Sequence, residues 1–523
     1  MAPLNQILYG PPGTGKTYAT TALAVSIAEP AWFKTTCERL DGIKLRQTVK
    51  EKYDQLVAEQ RVMFTTFHQS FSYEDFIEGI RATTDEQSGG LRYEIVDGIF
   101  KQLCDNADVK VQAATSDSIT LHGKRIWKMS LGNTQGDEDY IFDECINQGY
   151  VLLGYGNDID FSDCHSREAV KHRLEEKQQE SIENNNYTLT SVHAFKNLIT
   201  KGDLIIVSDG NHKFRAIAEI TGDYEFLKTD ERVGYQQLRR VKWLRQYQPS
   251  LPKERLFLKS LSQMTLYELK PTTVDHTKLE QLLAPTREQE SEHKPHVLII
   301  DEINRGNISR IFGELITLLE PSKRKGAEDA QTAVLPYSKT PFSVPDNVYL
   351  IGTMNTADKS LAQLDLALRR RFSFNEMLPQ PELLAGVTVF GVDLAQMLTR
   401  INQRIEVLLD AEHLIGHSYF MPLVYIKDES ERQQALAALF KDKLVPLLQE
   451  YFFDDHQRIG WVLNDPAKHP DHRFIITDEA LRDRLPSLQQ LFAADIAEQL
   501  MDRRHRLNKA AFTNAEAYRG IVA

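Results

Sequence analysis

The sequence predicts an α/β fold, a parallel sheet flanked by helices, interrupted by a small strand-rich domain and closed by a helical C-terminal region. Three observations predict it. A glycine-rich loop, GPPGTGKT, follows the apolar run Ile7-Leu8-Tyr9 and precedes the helix-forming stretch YATTALAVSIAE. A second apolar run ending in two carboxylates, VLIIDEINR, arrives only at Val297 to Arg305. Between them, from about residue 107 to 285, the pattern changes to short alternating strands punctuated by glycine.

The loop fits G-x-x-x-x-G-K-[ST] in the strand-loop-helix context that this motif needs. Gly10, Pro11, Pro12, Gly13, Thr14 and Gly15 shape a turn whose backbone N–H groups can face phosphate oxygens, and the helix N-terminus adds a favourable dipole. Lys16 should reach the outer phosphates, and Thr17 should ligate Mg²⁺. The run at 297–305 reads as a strand buried on both faces. Asp301 would hold Mg²⁺ directly or through water, and Glu302 would orient and deprotonate the attacking water. A third strand with a polar tip, VYLIGTMNTADKS, places Asn355 to polarise that water. Ligands of open α/β sheets sit at such carboxyl ends. LAQLDLALRRRFSF then presents three arginines on a short helix; a solvated cluster is the ordinary reading, and Arg370 or Arg371 given to a neighbouring subunit's nucleotide is the functional one.

Other elements follow in order. ELITLLEP predicts a helix, and AVLPYSKTPFSVPDN a hairpin with proline-marked ends. From Pro379 the apolar spacing is helical, as in LTRINQRIEVLLD and ALAALFKDKLVPLLQEYF. His417, in IGHSYF, either approaches the nucleotide or packs within this helical region. The expected divisions are 1–106 (first part of the core), 107–285 (insertion), 286–376 (second part) and 377–523 (helical lid and C-terminal helices).

Composition limits the rest. Hydrophobic residues make up 41% and charged residues 26%, ordinary for a soluble globular chain. No apolar run nears the roughly 18 residues that span a bilayer. The start runs straight into a strand rather than a signal peptide. Four cysteines without C-x-x-C spacing support neither a zinc site nor a disulfide framework. The expectation is a cytoplasmic protein without a membrane partner. A net charge of −12 argues against non-specific coating of nucleic acid, but leaves room for a local basic strip such as RRVKWLR at Arg239 to Arg245.

The combination GPPGTGKT, FHQSFSYEDFIEGI, DEINRGNISRIFGELITLLE, IGTMNTADKS, LDLALRRRF and IGHSYF resembles the McrB family, a branch of the AAA+ superfamily that powers modification-dependent restriction. The resemblance covers about residues 4–105 and 295–460. It implies a GTP-driven homo-oligomeric ring, a hexamer, that partners a separate McrC-like nuclease subunit. It assigns the signature to Asn355, Thr356 and Asp358, and the acidic motif to Asp301, Glu302 and Arg305. Arg305 could reach a neighbouring phosphate or hold the partner interface. FTTFHQSFSYEDFIEGI and YEIVDGIFKQLC are similar to the family's second strand and the helix after it. GTP is implied by the resemblance only; the N-K-x-D guanine motif is absent, and spacing leaves ATP open.

The insertion carries RIWKMSLG, GYVLLGYG, DLIIVSDG, KFRAIAEITGDYEF and RRVKWLR, which predict a small, strongly curved sheet or barrel. Their order resembles EVE-like members of the PUA superfamily. That likeness implies a pocket for a flipped, modified base of double-stranded DNA. Trp127, Tyr155, Asp160 and Trp243 are candidates for base contact, and Arg239, Arg240 and Arg245 for phosphates. A tryptophan in a strand-like run is more often core. No nuclease constellation is present, so cutting falls to a partner. The rival readings are an ATP-driven remodeller or chaperone whose insertion binds a protein, and a sensor in which nucleotide only switches assembly.

Overall fold

The computed structural model describes residues 2–84, 91–113, 121, 123–132, 140–228, 234–259, 261–284, 294–357, 366–477, 486–499 and 505–523. In chain order the first strands are β1 (Asn5–Gly10), β2 (Val62–Thr66), β3 (Glu78–Thr84) and β4 (Leu91–Asp97). A second set follows: β5 (Lys110–Ala113), β6 (Ile126–Ser130), β7 (Tyr150–Leu153), β8 (Leu204–Asp209), β9 (Lys213–Phe226), β10 (Gln237–Pro252) and β11 (Leu266–Glu268). The chain then returns with β12 (His296–Asp301), β13 (Ala333–Val334), β14 (Pro341–Phe342), β15 (Val348–Asn355) and β16 (Ser373–Glu376).

The core sheet is parallel, in the order β16-β1-β15-β12-β2. Its strands read as continuous apolar runs because both faces are covered. Successive side chains point to opposite faces. Val297 and Ile299 therefore join a cluster with Ala24, Val25 and Leu56, while Leu298 and Ile300 join Phe67, Phe76, Phe100 and Phe312. The register brings Gly10 beside Asn355 and Ile300 beside Gly352, so the glycine-rich loop and the polar tips of β12 and β15 share one sheet edge.

After β2 the chain departs from the expectation of one strand followed by a helix over YEIVDGIFKQLC. Tyr73–Phe76 forms one turn with a Ser72–Asp75 capping box, β3 and β4 form an antiparallel hairpin, and the helix resumes at Ile99–Ala107. The pairs Ile80–Ile95 and Ala82–Tyr93 show the period of two that selects strand over helix. Gly98 closes the hairpin against Phe76: a Cβ there would lie 2.3 Å from the Phe76 carbonyl carbon. ELITLLEP is a 3₁₀ segment (Gly313–Leu319) rather than an α-helix, entered through Gly313 at φ 51°. The expected hairpin before β15 is present as β13–β14.

The second set of strands forms its own mixed sheet, ordered β11-β6-β8-β9-β10-β5, with β7 also on β10. The long β10 changes register three times along β9, and such bulges bend a strand. The result is a curved sheet with β11 at one edge and β5 at the other, not a closed barrel. One face packs on the helices Arg167–Gln178 and Tyr187–His193; the other holds Leu204, Ile206, Phe214, Leu256 and Leu279.

Polar contacts tie this sheet to the core. Lys213 Nζ lies 2.5 Å from Asp97 and 3.2 Å from Asp105, and Lys101 bridges the same carboxylates at 3.1 and 2.9 Å. Glu94 accepts from Asn211 at 3.1 Å. Burial alone would raise the Asp97 carboxyl, yet Lys213 and Lys101 hold it below the usual range. Lys213→Met leaves two carboxylates sharing one lysine. The site is half-buried, so the cost falls between exposed and buried pairs, about 2 kcal/mol. The expected result is a melting transition lowered by about 5 °C at neutral pH. The deficit fades as pH falls below the usual carboxylate range, where protonated Asp97 no longer needs the lysine. An unchanged transition at pH 7 would show that Lys101 alone suffices.

The C-terminal region is mostly helical, as expected, but carries two short antiparallel pairs, Thr388–Val389 with Val392–Asp393 and Ile475–Thr477 with His505–Leu507, the latter taking a strand from a run expected to be helix. Leu394–Leu408, Glu429–Leu439, Val445–Tyr451, His456–Val462 and Ala515–Val522 share one core with Phe420, Phe440 and Phe474. Among the described residues, no helix is long and apolar enough to cross a membrane.

Candidate nucleotide site

The first helix begins at Lys16, directly after a loop in which Gly10, Gly13 and Gly15 hold φ of 149°, 77° and 80°. Side chains there would be strained, which is why the loop needs glycine. Lys16 is buried; its Nζ donates to the carbonyls of Gly10 (2.8 Å) and Pro11 (2.7 Å). Burial lowers its pKa to about 8, against the opposing pull of Glu302 and Asp301. Both carboxylates act on it electrostatically, and it opens the first helix, where the dipole favours an anion and a bound phosphate would stabilise the charged lysine further.

The acidic strand supplies the other half. Thr17 Oγ1 donates to Asp301 Oδ1 at 3.0 Å. A hydroxyl and a carboxylate on adjoining elements are hard oxygen donors. They suit Mg²⁺, which takes few protein ligands and completes its shell with phosphate and water. Glu302 adopts the left-handed conformation (φ 54°). Asn355 Nδ2 donates to its Oε1 at 2.5 Å, and Arg305 Nε lies 3.3 Å from its Oε2. Thr356 reaches across the edge in two directions, from its N–H to Gly10 O and from its hydroxyl to Glu412 O of the helical region.

The helical region closes on the loop. Gly416 N–H donates to Pro12 O at 3.0 Å and Ser418 N–H to Gly13 O at 2.9 Å. A Cβ on Gly416 would overlap Gly13, and one on Gly13 would strike the Tyr419 ring. His417 is both packed and close to the loop. Its Nδ1 accepts from Gln380 N–H at 3.1 Å, and its Nε2 would lie 3.8 Å from a Cβ on Gly15. Burial lowers its pKa, so the neutral ring carries its proton on Nε2. Glycine and tyrosine of IGHSYF thus make contacts that the sequence reading, centred on His417, missed. It also missed Thr353, whose hydroxyl bonds Asp301 at 2.5 Å.

The arginines separate. Arg371 pairs with Glu320 of its own chain at 2.7 Å, Arg369 leans on the Phe374 ring, and Arg370 is exposed. That pairing turns Arg371 inward and leaves Arg370 as the outward candidate. Asp358 lies outside the described residues.

Four of the insertion's candidates need correction. Trp127 and Trp243 are core residues, 2% and 6% exposed, with indole N–H groups bonded to Asp203 and to Cys145 O. Arg239 donates to the carbonyls of Phe195, Lys196 and Gly222. Arg245 donates to those of Leu244, Leu282, Leu283 and Ala284. Both guanidiniums are buried and turned onto backbone carbonyls, so neither is presented to a phosphate. Tyr155, edge-to-face with Tyr187 at 5.1 Å, and Asp160, bonded to Ser162, are half-buried; Arg240 is exposed beside Glu225.

A parallel sheet carrying Lys16, Asp301, Glu302 and Asn355 at one edge, with a helical lid on the loop, defines the AAA+ P-loop NTPase class. Three family models match: "McrB, alpha-helical lid domain" over residues 393–460, "AAA domain (dynein-related subfamily)" over 239–372, and a domain of unknown function (DUF8426) over 127–270. The chain is thus similar to McrB-type AAA+ proteins, with a second domain inserted in its core. It is 40% identical over 183 residues to the type IV methyl-directed restriction enzyme EcoKMcrB subunit of Escherichia coli (strain K12), covering 32% of this chain and 39% of that one. It is 27% identical over 187 residues to the type II restriction enzyme BsuMI component YdiS of Bacillus subtilis (strain 168), covering 32% and 51%. The chain thus matches only about two-fifths and one-half of these relatives' lengths. A YTH domain of Zygosaccharomyces rouxii MRB1, solved with N6-methyladenosine RNA, aligns over 33% of this chain and 93% of its own. The identity is 11% and the TM-score 0.19.

Proposed function

We propose that this chain is the NTP-hydrolysing motor of a restriction system, with Mg²⁺-GTP as its nucleotide. In this reading its inserted domain reads modified double-stranded DNA, and a separate McrC-like nuclease cuts. The observation that carries the hydrolytic part is the convergence of Lys16, Thr17–Asp301 and the Glu302–Asn355 pair at one sheet edge. Lys16 binds the outer phosphates. Glu302 holds the attacking water and takes its proton, while Asn355 fixes the Oε1 side of that carboxylate. Thr17 and Asp301 would hold Mg²⁺, which supplies charge neutralisation between the phosphates when bound. Restriction and the partner nuclease draw support from the two relatives, and GTP from the McrB likeness alone. Tyr155, Asp160 and Arg240 are the accessible candidates for the DNA-reading surface. A cytoplasmic ring, a hexamer, completes the reading, with Arg370 reaching the adjoining subunit.

The test is hydrolysis of GTP beside ATP by the full chain, with and without duplex DNA carrying a modified base. GTP preference with DNA stimulation is the expected result. Hydrolysis of ATP alone, with no DNA binding, would overturn the restriction reading in favour of protein remodelling.

A further inference from the structure

One hydroxyl inside the core sheet touches both members of the acidic pair. Thr353 lies on β15, two residues before Asn355, and is 2% exposed. Its Oγ1 donates to Asp301 Oδ1 at 2.5 Å and accepts from the Glu302 N–H at 3.1 Å. A hydroxyl has one proton and two lone pairs, so this chain has a direction: Glu302 N–H to Thr353 O–H to the Asp301 carboxylate. Each link polarises the next, most strongly where water is excluded.

Two features need such a determinant. Asp301 Oδ1 receives a second hydroxyl, Thr17, at 3.0 Å; two donors on one oxygen fix the rotation of the carboxylate plane. Glu302 holds φ 54°, a conformation that a residue with a side chain keeps only where its surroundings over-determine it. The Thr353 bond fixes its backbone and the Asn355 bond its side chain. The β-branched threonine has few χ1 choices, so the hydroxyl points in one direction. Pairing of Leu8 with Thr353 and of Ile300 with Gly352 keeps β15 in place whatever the side chain.

We propose that Thr353 is a positioning residue: its hydroxyl sets the orientation of the metal-holding carboxylate and of the catalytic glutamate together. The proposal rests on the reading of this edge as an Mg²⁺-NTP site. Thr353→Val keeps the shape and removes both bonds; Thr353→Ser keeps the hydroxyl. Nucleotide affinity of the full chain is measured in EDTA and over a Mg²⁺ titration, with hydrolysis and a melting curve alongside.

Loss of a partner that orients a metal ligand costs about 10- to 100-fold in metal affinity or activity. Thr353→Val should therefore raise the Mg²⁺ half-saturation about ten-fold or more and lower kcat to a similar extent. KM and the affinity in EDTA should stay at the wild-type values, and Thr353→Ser should behave as wild type. Wild-type Mg²⁺ dependence in Thr353→Val overturns the proposal. So does an equal loss of affinity in EDTA, or a serine variant as impaired as valine, since either marks a packing role. A wild-type chain whose nucleotide affinity ignores Mg²⁺ would instead overturn the underlying reading of the site.

Discussion

Glu302→Gln should lower nucleotide hydrolysis about 10³-fold, the middle of the range for loss of a general base, while nucleotide affinity is retained. The size of the effect follows from how little else changes. Glutamine keeps the Oε1 that accepts from Asn355, and the left-handed backbone remains held from the sheet side. What disappears is the basic oxygen and the charge that faces Arg305 at 3.3 Å. The amide that replaces it presents a donor to the Arg305 donor, so that arginine is released. Lys16 loses one of its two stabilising carboxylates but keeps Asp301. Single-turnover hydrolysis beside equilibrium nucleotide binding separates the terms. A variant that turns over within about five-fold of wild type would remove Glu302 from the general-base role, given the range such groups span. A variant that fails to bind would show that the carboxylate matters to the ground state.

How far the sequence revealed this site depends on where the determining information lies. The loop, the acidic strand and the β15 tip are each a contiguous run: an apolar strand followed at once by its polar residues. Strand, loop and chemistry are read together, and the structure brings those runs to one edge. Thr353 was invisible because a threonine within a strand is an ordinary strand former. Only the partner strand shows that its hydroxyl has two acidic-motif contacts. Gly416 was invisible because the group it must clear, Gly13, is some four hundred residues away in sequence.

Within the basic and aromatic strip at 239–245, the inward turn of Arg239, Trp243 and Arg245 was invisible for a related reason. On β10 the side chains alternate: Arg240 and Lys242 point outward, while Arg239, Val241 and Trp243 point in. The buried arginines meet helix ends. Arg245 donates to the last carbonyls of the helix His276–Leu283, and Arg239 to those of the turn Ala194–Leu198. The last carbonyls of a helix have no partner within it, and a cation there is favoured by the dipole as well. A guanidinium with five donors suits that task as well as it suits phosphate. Composition cannot separate the two uses; only the position of a helix terminus distant in the chain can.

Arg370→Ala should also abolish turnover, by about 10³-fold or more, the value of an arginine supplied to a phosphoryl-transfer site. Its neighbours are committed within their own chain, Arg371 to Glu320 and Arg369 to the Phe374 ring, whereas Arg370 is exposed. If it acts on the next subunit, its loss leaves Lys16, Asp301 and Glu302 of its own chain intact, so nucleotide binding survives. The decisive form of the experiment mixes two inactive proteins. An Arg370→Ala subunit has a working Glu302 but gives no arginine; a Glu302→Gln subunit gives Arg370 but has no base. Where the second stands beside the first in a ring, one complete site is rebuilt, so the mixture should hydrolyse nucleotide although neither variant does alone. Activity should peak near equal proportions, because only unlike neighbours in one of their two orders make a competent site. A mixture as inactive as its components would place Arg370 outside the shared site, and Arg371→Ala, which breaks the pair with Glu320, would then be read for stability alone.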